Sequence, residues 1–147
     1  MKMKHLILVF LIGLVPSSLV HASEANQLAT CLTDSLSGKE RKKLAKWIYF
    51  GMSEHSTIKP HSSISELDKD TMNLQIARLL TRLLAEDCLT EAKAAITRGE
   101  QDALSKAFEV VGQVAMQELM NEPSVTQALI EYAKYLDEEK FLRMLLD

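Results

Sequence analysis

Glycine and proline are scarce in this chain, five and three residues out of 147, which leaves few of the tight turns that a β-sandwich or barrel requires. No stretch alternates apolar and polar residues, so no half-buried strand is signalled. Aromatic side chains make up only 5% of the sequence and tryptophan occurs once. The longest apolar run, Leu6 to Val15, has ten residues, about half of the roughly 20 that cross a bilayer as a helix. Four catalytic signatures are also missing: the Gly-x-Ser-x-Gly elbow, His-Glu-x-x-His, the phosphate-binding glycine loop and the dinucleotide fingerprint. What remains is helical periodicity throughout.

The N-terminus opens on a short basic segment, Met1-Lys2-Met3-Lys4-His5, followed by the apolar run, Pro16 and the small-x-small tripeptide Val20-His21-Ala22. This is the n-region, h-region and cleavage pattern of a secretory signal peptide. The expected organisation is a signal peptide at residues 1–22 and one helical domain at residues 23–147. Leu28-Ala29-Thr30-Cys31 has some features of a lipid-attachment box, but Cys31 lies sixteen residues past the apolar run, behind Glu24 and Asn26. Loss of Lys2 and Lys4 lowers the basic count from 17 to 15 against 20 acidic side chains, taking the formal charge from −3 to −5. None of Asn26, Asn73 and Asn121 begins an N-glycosylation sequon. The expected location is therefore the periplasm or the extracellular medium. A mature chain of this size buries about two-thirds of its unfolded surface.

Both cysteines, Cys31 and Cys88, fall in the mature chain. In an oxidising compartment an even pair without metal-ligand spacing reads as a structural disulfide. Six or seven helices are expected, forming a compact all-α bundle stapled by that bridge. The first runs from about Glu24 to Leu36, and Ser37-Gly38-Lys39-Glu40 forms a capping box that opens a second reaching about His55. After a loop from Ser56 to Ser65, either Ser63-x-x-Glu66 or Ser65-x-x-Asp68 caps a third that runs to about Ala85. Its apolar face is Met72, Ile76, Leu79, Leu80 and Leu83, but Leu67 and Leu74 lie opposite, which predicts a central position in the bundle. A fourth helix runs from about Asp87 to Arg98, where Gly99 stops it. The fifth, Glu100 to Asn121, carries the stripe Leu104, Ala107, Phe108, Val111, Ala115 and Leu119. Pro123 begins a sixth with Val125, Ala128, Leu129, Tyr132 and Leu136, and Asp137 caps a last one with Phe141, Leu142 and Leu145.

Only His55 and His61 remain as mature-chain histidines, which restricts histidine chemistry. With Glu54, Glu66 or Asp68 they have the donor types for zinc, but the ligand spacing matches no recognised site, His55 falls on an apolar helix face, and no metal or other cofactor is implied. A lone carboxylate acting as an acid leaves no motif, so an envelope-polymer hydrolase stays open as an alternative.

The second helix breaks a local rule. Lys39, Arg41, Lys42 and Lys43 crowd its first turns, where the macrodipole disfavours each exposed cation by about 0.3–1 kcal/mol. At 100° per residue Lys39, Lys42, Lys43 and Lys46 share a stripe with Phe50, opposite Leu44, Ile48, Gly51 and Met52. Two readings fit this stripe: a solvated face, or a basic, partly aromatic patch for an acidic protein, an anionic lipid head group or the anionic envelope. The acidic mature chain disfavours nucleic acid. Arg41 points towards the apolar side and calls for a carboxylate, expected among Asp34, Glu86, Asp87 and Glu91. Trp47, on the edge of the apolar face, is expected in the core, with a ligand platform as the other reading.

The segment Cys31 to His55, with Gly38-Lys39-Glu40-Arg41, Leu44-Ala45-x-Trp47 and Met52-x-x-His55, resembles small exported all-helical proteins of Gram-negative bacteria whose function is unassigned. The resemblance extends loosely to Leu83-x-x-x-x-Cys88 and implies no activity, cofactor or catalytic residue. The leading expectation is a non-catalytic exported binding module using the basic face of the second helix. A secreted effector acting on host membranes or proteins is the alternative.

Overall fold

A computed structural model of the protein describes residues 23–146; the expected signal peptide lies outside them. The described chain is all-α, with seven helices and no strand: α1 (Glu24–Ser35), α2 (Gly38–Met52), α3 (Glu66–Arg82), α4 (Leu89–Thr97), α5 (Ala103–Met120), α6 (Pro123–Ile130) and α7 (Glu138–Leu146). Short 3₁₀ turns occupy Lys59–His61 and Glu131–Tyr135. No described helix is long and apolar enough to cross a membrane.

The caps agree closely with the sequence. Ser37 and Glu40 close a capping box on α2, and Ser65 with Asp68, rather than Ser63 with Glu66, closes one on α3, so orphan N–H groups at both helix starts are satisfied. Pro123 begins α6. α2 stops at Met52, one turn before His55, so His55 is exposed beyond the helix instead of on its apolar face.

The boundary between the third and fourth helices is more continuous than expected. α3 passes directly into a π-helical turn, Leu83–Asp87, in which the Cys88 N–H donates to the Leu83 carbonyl at 2.8 Å. A π turn inserts one residue into the helical register and so rotates the downstream helix about its axis. Here it leaves Leu83 and Cys88 both fully buried. Cys88 forms the expected disulfide with Cys31, Cα–Cα 5.9 Å, tying α1 to the start of α4.

The core lies between α1 and α5. Leu28 and Leu32 of α1 are fully buried and face a ridge of small residues on α5, Ala103, Ala107, Val111 and Ala115. Small side chains let two helix axes approach closely. α5 packs against α1, α2 and α4, whereas α3 meets α2 and the π turn, so α5 and not α3 is the central helix. Leu67 and Leu74, whose position suggested otherwise, are 75% and 54% exposed.

The sixth and seventh helices differ from the rest. Neither contains a buried residue; among the described residues α6 meets only the end of α5 and the adjoining 3₁₀ turn, and α7 packs on no other element. Residues 123–146 form an arm attached to a body made of α1–α5.

Candidate functional site

The basic stripe of α2 lies on the surface of the body. Lys39, Lys42 and Lys46 are exposed and Lys43 half-buried. Lys42 Nζ is 3.9 Å from Glu118 of α5. Lys46 sits 5.4 Å from the Phe50 ring centroid, a cation–π contact, and Phe50 itself packs partly on the core. Lys39 and Lys43 have no ion-pair partner among the described residues.

Two acids offset the cations at the helix start. Glu40 accepts from the Ser37 N–H at 3.0 Å and from Arg82 Nη2 of α3 at 2.8 Å; the Ser37 hydrogen bonds, then the Arg82 charge, hold its carboxyl below the usual range. Glu118 is the second. Arg41 places Nε 3.6 Å from its carboxylate and donates from Nη1 to the Leu36 carbonyl at 2.7 Å. The partner expected near the disulfide is thereby corrected: Asp87 is taken by Arg82, and Arg41, with 35% of its side chain exposed, is not buried.

Trp47 is the larger correction. It is 38% exposed and lies between two apolar crevices instead of inside the core. Its indole N–H donates to Asn73 Oδ1 of α3 at 3.0 Å, which fixes the ring on the surface. One crevice, of about 380 Å³, lies between α2 and α3 and is lined by Ile48, Gly51, Met52 and Asn73. The other, of about 280 Å³, lies between α2, α3 and α5, with Leu44, Leu80, Phe108 and Gly112 on its walls. Trp47 and Ile48 belong to both. Lys43 stands one helical turn before Trp47 and Lys46 one turn before Phe50, so the lysines border the apolar strip.

Each crevice contains a helical glycine that the packing does not require, Gly51 in the last turn of α2 and Gly112 in the interior of α5. A Cβ added at Gly51 or Gly112 would meet nothing within 4 Å, although glycine costs a helix interior about 1 kcal/mol relative to alanine. Gly99 behaves oppositely, since its Cβ would clash with the Ala95 carbonyl and lie 2.7 Å from Ala103 Cβ. The sequence reading missed the crevices, and the helical glycines Gly51 and Gly112 are the signal that points to them.

Polar groups elsewhere are engaged locally. Glu54 bridges Lys59, at 2.7 Å, and Lys69, and hydrogen bonds to these two ammonium groups hold its carboxyl down to about 2. Asp68 is held below its ordinary value by Ser65. The three displaced carboxylates, Glu40, Glu54 and Asp68, thus all move towards easier ionisation, opposite to the shift that suits a general acid. His55 contacts Thr57 through Nδ1 at 2.9 Å and His61 is exposed. Among the described residues no group of three or more His, Cys, Asp or Glu side chains is arranged to hold a metal ion.

Compared with family models, curated proteins and solved structures, the chain matches none of them.

Proposed function

We propose that this protein is an exported, non-catalytic helical module, of the small Gram-negative type its Cys31–His55 segment resembles, that binds a protein partner through α2. The observation that carries the reading is the juxtaposition at Trp47: two open apolar crevices beside lysines of which Lys39 and Lys43 lack an ion-pair partner among the described residues. A surface of that kind fits an amphipathic helix with an acidic flank, the helix-in-groove mode of recognition. Apolar contact supplies the affinity, and the lysines steer and orient the partner.

The test is capture of envelope proteins by the oxidised chain and by a Lys42→Glu, Lys43→Glu, Lys46→Glu variant. The variant is expected to lose the partner at least tenfold while circular dichroism shows the helical content of wild type and unfolding stays cooperative. Equal capture by both proteins returns the stripe to a solvated face. The cation stripe also favours a second reading, in which a secreted form binds anionic head groups of a host membrane. Salt-sensitive binding to anionic liposomes, lost in the same variant, is the outcome that selects it.

A further inference from the structure

The arm formed by α6, the 3₁₀ turn at Glu131–Tyr135 and α7 has an unpartnered apolar face. Tyr132, Tyr135, Phe141, Leu142, Leu145 and Leu146 are 48% to 85% exposed, and large apolar side chains gathered on one exposed segment are a mark of an interaction surface. Along α7, Phe141 and Leu145 are four residues apart, as are Leu142 and Leu146, which places them on one broad face. The body carries a surface of complementary apolar character, the Trp47 crevices.

We propose that α7 docks into the Trp47 crevices of a second copy of this chain, each copy giving its arm to the other. The inference rests on the reading of α2 as a binding surface and names the helix that surface takes. Length agrees: α7 has nine residues, about 13 Å at 1.5 Å per residue, and the crevices line α2 from Leu44 to Met52, also nine positions. Charge agrees as well. Glu138 and Glu139 open α7 without an ion-pair partner among the described residues, and Lys43 and Lys46 stand one helical turn before the crevice-lining Trp47 and Phe50, beside the Glu54–Lys69 pair on the crevice wall. Gly51 and Gly112 leave the crevice walls without a Cβ where a second helix backbone approaches, the usual reason for glycine at a close helix contact. The exchange is placed between copies because α6 packs on the end of α5 while α7 touches no other element among the described residues. A second molecule presents the same crevices to α7 with the α5–α6 contact left as it is. Mutual arm exchange closes a two-fold dimer.

The test is light scattering on the full oxidised mature chain across a dilution series, with circular dichroism to confirm folding. Wild type is expected at twice the monomer mass, falling to monomer on dilution. Leu142→Asp with Leu145→Asp, and separately Lys43→Glu with Lys46→Glu, are each expected to raise the dimer dissociation constant at least tenfold without loss of helicity. Adding Glu138→Lys and Glu139→Lys to the lysine variant is expected to restore most of the association. A wild type that is monomeric at every concentration, or a dimer indifferent to the arm substitutions, overturns the proposal. A monomer that captures an acidic partner helix through α2 overturns the arm exchange alone and leaves the α2 reading standing. A monomer that sediments with anionic vesicles through Leu142 and Leu145 overturns it in favour of a membrane-bound arm.

Discussion

The disulfide-stapled body and the C-terminal arm are written in the same helical periodicity and meet opposite fates. In α1, Leu28 and Leu32 recur at the spacing of one face and are completely buried. In α7, Phe141 and Leu145 recur at the same spacing and are 48% and 75% exposed. Periodicity identifies which face of a helix is apolar; it does not identify what covers that face. The body covers its faces with itself, through the small residues of α5 and the Cys31–Cys88 bridge. The arm has no such counterpart among the described residues, and the proposed exchange supplies one from a second copy.

Four experiments break or sharpen the contrast. Replacing both cysteines with serine should have the largest effect, about 4 kcal/mol from the loop entropy of a 57-residue separation, read by urea denaturation against the oxidised wild type. Leu28→Ala should come next at about 3 kcal/mol, because its fully buried site between α1 and α5 leaves a cavity that the disulfide-anchored helix cannot readily close. A smaller effect is tied to pH. Glu54 has its carboxyl lowered from 4.5 to about 2 by Lys59 and Lys69, so its stabilisation is fully present above pH 4.5 and is lost as the pH falls towards 2. Glu54→Gln should therefore flatten the acid limb of the stability profile in that window. The smallest effect belongs to the arm: at dilutions that leave only monomer, Leu129→Ser, at a site that is 53% exposed, should shift stability by less than about 0.5 kcal/mol. A loss near that of Leu28→Ala would show that α6 belongs to the core of the body and is not only attached to its end.

Much of the fold was legible in the sequence because the signals were local. The Ser37–Glu40 box, Pro123 at the start of α6 and the scarcity of glycine each act within a few residues, and the cysteine pair required only an assumption about compartment. Features set by distant partners were not legible. Arg41 finds Glu118 of α5 instead of an acid near the disulfide, because Arg82 already holds Asp87. Trp47 lies at the surface because Asn73 accepts its N–H from the neighbouring helix, a pairing that the periodicity of α2 contains no trace of. The central role of α5 was hidden for a similar reason: its core ridge is built of Ala103, Ala107, Val111 and Ala115, one step round the helix from the larger Leu104 and Phe108 that dominate its apolar pattern. The lysine stripe is plain in the sequence. The apolar crevices along its border are what change its meaning.

The most direct measurement is zero-length photocrosslinking from a photoreactive residue at position 47 in a mixture of isotopically heavy and light chains. Mixed heavy–light crosslinks joining position 47 to peptides within residues 138–146 are the expected result. Crosslinks confined to single chains, or none to the arm, would contradict the docking of α7 in the crevices of a second copy.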